Sequence, residues 1–399
     1  MINSWIKQVG FPLVDAKRQN SKLVLSQKRF VFEQKGREKG LWHIPVSVTQ
    51  DNTVKNKLIT KQLDTIPIDA SHVMINSGRS GFYRVKYSSD ILADLKDLVL
   101  QKSISHVDRW ALQNDLFALC ISGDDHAKNY LDFSKSYENE DDYITQSNVA
   151  GNLYALYNRT IEEPFNYEIK DIAYDFLKTA FARIGWDAKK GEPHTNALLR
   201  SFMIGSLGKL EDEEIIAEAR KRFEQYLKSP NSLNPDIQDA VFSTVAWSGD
   251  AKTYQKMLEM YHKVKTQEEK MRFLGALCSF KDEKLLRRTL DFSQTKDVRS
   301  QNMHVPIIRI AGNRHGKKIF WPWLKKNWKP LHKKVGVGSP LLNRIVASIS
   351  AVADSAMENE IKRFFKANPT PGTERTLDQT LERIRIHTNL LQRLRLEFA

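Results

Sequence analysis

The chain has 399 residues, which is long for one ordinary domain, so two or three domains are expected. Its hydrophobic content of 41% is enough for well-buried cores, and its two cysteines, Cys120 and Cys278, are too few for a disulfide framework. No apolar run approaches the ~18 residues of a membrane span, and the N-terminus does not resemble a signal peptide. We therefore predict a cytoplasmic protein without a membrane partner.

The positive charge is concentrated towards the C-terminal end. The whole chain carries a net charge of +14, and residues 281–399 hold 24 Lys and Arg against 11 Asp and Glu, a net charge of +13. This imbalance favours an anionic partner, such as nucleic acid, an acidic surface or peptide carboxylates. A solvated, lysine-rich helical surface explains the same charge without any partner.

Residues 1–20 are predicted to be a tail. They contain a short amphipathic segment that is stopped by Gly10 and Pro12. The sequence shows no packing partner for Trp5 or Phe11, so we expect this tail to be poorly anchored.

Residues 21–90 are predicted to form a small β-sandwich. Apolar side chains alternate with period two, and aromatic and β-branched types are frequent. The candidate strands are Leu23–Phe32 (long enough for a strand pair), Leu41–Val48, Lys57–Leu63, Val73–Ile75 and Gly81–Tyr87. A charged turn over residues 34–40 and a second turn over residues 76–81 separate them. Six or seven short strands in this length are typical of a sandwich.

Residues 91–399 are predicted to be helical, because the apolar period changes from two to that of a helix near residue 80. Helix starts are indicated by Ser105, Asn234-Pro235 and Ser339-Pro340, and a helix end by Gly123. We expect roughly sixteen helices, in pairs that recur about every 30 to 40 residues, as in a HEAT-like or armadillo-like superhelix. A compact bundle is the alternative, but this number of helices is too large for one bundle core.

The sequence contains none of the catalytic or metal-binding motifs that we sought. No histidine is followed by glutamate, so the zinc motif His-Glu-x-x-His is absent. A Cys-x-x-Cys pair, a phosphate-binding loop and a Gly-x-Ser-x-Gly turn are also absent. We therefore expect no catalysis by this chain alone, no catalytic residue and no cofactor within it.

The best candidate binding site is the connection Gly312–Gly316, between an apolar helix and a tryptophan-rich helix. The glycines permit a tight turn, so Arg314 and His315 are predicted to be displayed there and to bind a carboxylate. The alternative is a packed aromatic helix with a basic outer face. The arginines of the last helix are predicted to be a solvated face; they are Arg383, Arg385, Arg393 and Arg395.

Five motifs, in order along the chain, resemble the M1 zinc aminopeptidases. They are Trp5-x-x-Gln8-x-Gly10-x-Pro12, Trp42-x-Ile44-Pro45-Val46, Asn76-x(4)-Gly81-Phe82-Tyr83-Arg84-Val85-x-Tyr87, Asp108-Arg109-x(4)-Asn114-Asp115-x-Phe117-x-Leu119 and Gly312-x(3)-Gly316-x(4)-Trp321-x-x-Leu324-x-x-Asn327-Trp328. The resemblance covers essentially the whole chain and concerns the region downstream of the family's catalytic domain. The most similar branch includes the puromycin-sensitive, endoplasmic-reticulum and tricorn-interacting-factor aminopeptidases.

The resemblance implies a C-terminal part of such an enzyme. The family's thermolysin-like domain, which carries zinc, precedes a β-sandwich and a helical domain, so residues 1–20 would be the tail of a missing catalytic domain. The implied role is to cap the active-site chamber and to accommodate the peptide substrate. The implied partners are that peptide and a catalytic domain, in the same or a separate chain, and not nucleic acid.

Two features depart from the family pattern. Arg314 lies beside a loop region with which some members bind the far end of the peptide, but it does not match a family arginine position. Ala356-Met357-Glu358-Asn359 is similar to the family's Gly-x-Met-Glu-Asn, yet it lacks the glycine and lies in a helical stretch, so we interpret it as coincidence.

The alternative function is a stand-alone α-solenoid scaffold for a protein or an anionic partner.

Overall fold

The computed structural model describes residues 1–33, 40–51, 53–336 and 338–399. The predicted charged turn over residues 34–40 lies outside the described residues except for Gly40. The strands are β1 (Pro12–Gln19), β2 (Lys22–Arg29), β3 (Ile44–Gln50), β4 (Thr53–Ile59), β5 (Leu63–Pro67), β6 (Val73–Ile75) and β7 (Arg84–Tyr87).

Helices follow the strands from residue 89 onwards, and one short helix precedes them. They are α1 (Asn3–Ile6), α2 (Ser89–Leu100), α3 (His106–Ser122), α4 (Ala127–Ser134), α5 (Tyr143–Arg159), α6 (Asn166–Ile184), α7 (His194–Lys209), α8 (Glu213–Lys228), α9 (Pro235–Trp247), α10 (Ala251–Lys263), α11 (Gln267–Leu277), α12 (Glu283–Phe292), α13 (His304–Ala311), α14 (Lys317–Val335), α15 (Pro340–Ser348), α16 (Glu358–Ala367) and α17 (Glu374–Glu397). The predicted order, a small β region followed by a large helical region, is confirmed.

The strands form two sheets. The first has the order β5-β2-β1-β7, in which β1 is antiparallel to β2 and parallel to β7. The second is antiparallel, with the order β4-β3-β6. Tyr87 connects them, because its hydroxyl accepts a hydrogen bond from Ile75 N (2.9 Å) and donates one to Ile75 O (3.1 Å). Burial raises the pKa of Tyr87 well above its usual range, so this hydroxyl keeps its proton.

Residues 1–20 differ from the predicted tail. Residues 12–19 form β1, which is hydrogen-bonded on both sides and buries Leu13 and Val14 completely. Trp5 donates from Nε1 to His43 O (3.0 Å), and the ring of Phe11 lies 5.4 Å from that of Phe30. The expectation that Trp5 and Phe11 lack partners was therefore wrong, because their partners are distant in sequence.

The predicted helix boundaries are confirmed by their capping contacts. The Ser105 side chain accepts from Asp108 N, and Gly123 adopts a left-handed conformation (φ 73°) at the end of α3. Asn234 and Ser339 cap α9 and α15 in the same way, each followed by proline in the first turn. Among the described residues, no helix combines the length and the apolar character needed to cross a membrane.

The chain divides into two compact units, residues 1–179 with 389–399, and residues 180–388. In the first unit, α3 packs against β7, and the Phe398 ring stacks on Phe165 (4.7 Å). In the second unit, α9 contacts α7, α8 and α11, and α13 contacts α11 and α15. The centre of that packing is Phe242, whose fully buried ring lies 4.8 Å from the ring of Phe273 and 4.9 Å from that of Tyr226.

Candidate functional site

The turn that carries Arg314 is held by its neighbour Asn313. This buried side chain donates from Nδ2 to Cys278 O (3.0 Å) and Phe280 O (2.9 Å), and its Oδ1 accepts from His315 N (3.0 Å). Gly316 is equally constrained, because a Cβ atom there would lie only 2.1 Å from Ile310 O. These contacts fix where the Arg314 and His315 side chains start.

Arg314 and His315 lie in a cluster with three further side chains, which we call the Arg314 cluster: Glu211, Trp247, Lys281, Arg314 and His315. The Arg314 guanidinium lies over the Trp247 indole, with Cζ 4.7 Å from the ring centroid. Its Nη2 lies 3.4 Å from Glu211 Oε1, an atom that also accepts from Lys281 Nζ at 2.9 Å. The His315 ring lies 5.4 Å from the Trp247 ring.

The Arg314 cluster contains two cations, Arg314 and Lys281, which share the Glu211 carboxylate. The pKa of His315 is lowered by burial and by the nearby positive charges of Arg314 and Lys281. The imidazole is therefore neutral at neutral pH. The neutral ring accepts from Arg314 Nε through Nε2 (3.2 Å). Only 12% of the Arg314 side chain is exposed. The guanidinium is therefore engaged by Glu211, Trp247 and His315, and a peptide carboxylate would have to share or displace Glu211.

Sequence reasoning identified two members of this cluster and missed Glu211, Trp247 and Lys281. Glu211 follows α7, Trp247 ends α9 and Lys281 follows α11. In the same way, Arg314 follows α13. Positions 211, 247, 281 and 314 are 33 to 36 residues apart. This spacing, within the predicted helix-pair repeat, was the signal that could have located them.

The third and fourth motifs of the resemblance meet at a buried carboxylate, Asp115, in the first unit. Asp115 of α3 accepts two hydrogen bonds from the Arg79 guanidinium (2.7 and 2.8 Å) and one from Arg84 Nη1 (2.8 Å). It also accepts from Val85 N (3.1 Å), and only 5% of its side chain is exposed. These four residues, the Asp115 cluster, join α3 to β7 and to the preceding turn.

Neighbouring motif residues are also structural. Asp108 accepts from Gly78 N (2.7 Å) and from the Ser105 hydroxyl (2.7 Å). Arg109 forms a two-bond ion pair with Glu140 (2.6 and 2.7 Å), which raises the pKa of the guanidinium further. The motifs therefore join the β region to the first helices.

We had predicted a solvated face for the arginines of α17; Arg383 is exposed as predicted, but the other three have partners. Arg393 donates from Nη2 to Cys120 O (3.2 Å) and Ile121 O (2.7 Å), at the C-terminal end of α3. Arg395 pairs with Glu163, and Arg385 with Glu358 (2.9 Å). These partners lie at the end of α3, in the connection between α5 and α6, and at the start of α16, so the sequence of α17 alone could not show them.

No group of three or more His, Cys, Asp or Glu side chains that could hold a metal ion occurs among the described residues. The Glu358 of the Met-Glu-Asn sequence is engaged by Arg385 and Lys362.

Comparison with known proteins places this architecture in context. The family described as the ERAP1-like C-terminal domain matches residues 72–386. Aminopeptidase M1 of Arabidopsis thaliana is 29% identical over 425 residues, with 100% of this chain and 48% of the relative covered. Aminopeptidase M1-B of Oryza sativa subsp. japonica is 28% identical, with 100% and 48% covered, and aminopeptidase 2, mitochondrial, of Saccharomyces cerevisiae is 26% identical, with 96% and 41% covered. The chain spans about half the length of these curated relatives.

Proposed function

The chain belongs to the ERAP1-like C-terminal domain family, and from this premise we propose that it is the non-catalytic C-terminal part of an M1-type zinc aminopeptidase. It caps the active-site chamber and accommodates the peptide, while a catalytic half removes N-terminal residues. The observation that carries this proposal is coverage: relatives named as aminopeptidases align with the whole chain, which is about half of each of them. In such enzymes a zinc-bound water attacks the peptide bond.

An apolar surface on the first unit supports docking of a catalytic half. The Phe82 surface is a row of rings in the order Phe82, Phe11, Phe30 and Phe32, with neighbouring ring centroids 5.1 to 5.4 Å apart; Phe30 is buried and forms its base. Phe82 is 72% exposed, although a large aromatic side chain gains free energy when it leaves water. The half of each relative that this chain does not match is the occupant that we propose for this surface.

The helical part supports accommodation of a peptide. The contacts from α7 to α9, α11, α13 and α15 in turn, with the repeat spacing of the Arg314 cluster, support a HEAT-like or armadillo-like stack. In such a stack one end of several helix pairs forms a continuous surface. The Arg314 cluster lies on such an end, and its cations Arg314 and Lys281 share the carboxylate of Glu211, so they suit a second carboxylate from a peptide.

Docking is tested with the full chain and a separately produced catalytic half that carries the His-Glu-x-x-His motif. We expect the two to form a complex in sedimentation experiments. Phe82→Asp should weaken it at least about tenfold, because the charge is desolvated at the interface. Tyr167→Asp is the matched control, since Tyr167 is also exposed (63%) in the first unit but lies outside the Phe82 surface. Unchanged binding by Phe82→Asp would contradict this docking site.

Peptide accommodation is tested by Arg314→Ala in the reconstituted complex. We expect KM to rise for long peptides and to stay nearly unchanged for single amino-acid amides, because only a long peptide reaches the cluster. Arg287→Ala, an exposed arginine on α12, is the control for lost positive charge. Equal effects on both substrate lengths would remove Arg314 from the peptide site, and a melting curve of each variant separates binding from folding.

A further inference from the structure

The helix α14 carries an unusual concentration of charge. It contains seven lysines and no acidic residue over Lys317–Val335. One side is buried through three tryptophans, each at most 3% exposed: Trp321, Trp323 and Trp328. The opposite side carries the α14 stripe, which consists of Lys318, Lys325, Lys326, Lys329 and Lys333. At 3.6 residues per turn these five lysines lie within an arc of about 100°.

Most of this stripe has no counter-charge from the part of the chain that the structure describes. Lys325 pairs with Glu360. For Lys318, Lys326, Lys329 and Lys333, the described residues supply neither an ion pair nor a side-chain hydrogen bond. Like charges three or four positions apart on a helix repel each other. An anionic partner would relieve this repulsion and would be attracted over a distance of about 10 Å at moderate salt.

We propose that the α14 stripe is a docking site for an acidic segment of a partner protein. This inference goes beyond the proposed function, because it concerns neither the peptide site nor the catalytic half. From Lys318 to Lys333 the helix rises about 22 Å, at 1.5 Å per residue. An extended chain covers that length with about seven residues, and its alternate side chains lie about 6.6 Å apart. Carboxylates at every second position therefore match lysines that are about 4.5 to 6 Å apart along the helix.

The surroundings of the stripe favour an acidic polypeptide over two other polyanions. The stripe is confined to one helix; Glu360 of α16 pairs with Lys325, and Asp291 of α12 accepts from Trp323 Nε1 (2.7 Å). A flat anionic bilayer would be better matched by cations spread over several helices. A single nucleic-acid strand is bound by exposed aromatic rings and arginines, whereas the tryptophans of α14 are buried.

The test measures binding of a fluorescent peptide with six Glu-Ser repeats to the full chain by anisotropy, at about 50 mM salt. The triple variant Lys326→Glu, Lys329→Glu, Lys333→Glu should bind at least about tenfold more weakly. The matched control makes the same change in charge at exposed lysines of α10: Lys252→Glu, Lys256→Glu and Lys263→Glu. This control should bind as wild type, and a peptide with six Gln-Ser repeats should not bind.

Two outcomes would overturn the proposal. The first is an equal loss of peptide affinity in the α10 and α14 variants, which would show that binding depends on net charge alone. The second is tighter binding of single-stranded RNA or of phosphatidylserine vesicles than of the acidic peptide, with loss in the α14 variant only. If the charge-reversal variant melts early, the triple Lys→Gln variant replaces it, and wild-type binding by that folded variant would also overturn the proposal.

Discussion

The Asp115 cluster gives a quantitative prediction. Asp115→Asn keeps the shape of the side chain but removes the negative charge that Arg79 and Arg84 share. Burial alone would lower the pKa of Arg79. The hydrogen bonds and the charge of Asp115 more than offset this effect, so the pKa of Arg79 is raised in the folded chain. The substitution leaves two half-buried cations without their carboxylate. Breaking a buried ion pair from one side costs about 3–5 kcal/mol.

The assay is thermal and urea unfolding of the full chain. In a unit of this size each kcal/mol shifts Tm by about 2–4 °C, so Asp115→Asn should lower the Tm of the first unit by roughly 10 °C. Asp132→Asn is the matched control, because Asp132 is 59% exposed and pairs with Lys96 at 2.6 Å. A surface pair is worth at most about 1 kcal/mol. A loss below about 1 kcal/mol for Asp115→Asn, or an equal loss for Asp132→Asn, would refute the reasoning.

Two further predictions concern the turn of the Arg314 cluster. Gly316→Ala should destabilise the second unit by about 1–3 kcal/mol in urea unfolding, because its Cβ atom would clash with the Ile310 carbonyl, whereas Gly205→Ala, which has open space in α7, should be neutral or stabilising. The pKa of His315 is lower in the folded chain than in the unfolded chain, so protonation favours unfolding, and stability should fall as the pH drops through about 6.5. His315→Gln should lose less stability than wild type over that interval, and an equal or larger loss would contradict the buried, neutral imidazole.

The change of period near residue 80 was sufficient to predict the order of the fold. Strand β3, whose buried side chains alternate, and the starts of α3, α9 and α15 follow from local signals, since capping and alternation depend on adjacent residues. Strand β1 was missed because both of its faces are covered at its start, so the successive residues Leu13 and Val14 are both buried and apolar side chains do not alternate there.

The contacts that define the sites could not be predicted, because they join distant parts of the chain. Arg393 reaches the end of α3 across more than 270 positions. Arg79 reaches Asp115 only because it adopts a left-handed conformation (φ 55°), which no local signal required. Arg314 was correctly placed in the connection after α13, but its engagement by Glu211 and Trp247 depends on the stacking of every second helix from α7 to α13.

The central claim is that this chain contributes to an aminopeptidase without performing its chemistry. The most direct measurement compares hydrolysis of amino-acid amides and of long peptides, together with bound zinc, for the pure chain, the catalytic half and their mixture. We expect no hydrolysis and no stoichiometric zinc for the pure chain, and greater activity on long peptides for the mixture than for the catalytic half alone. Hydrolysis with about one equivalent of zinc in the pure chain, or a mixture no more active than the catalytic half, would contradict it.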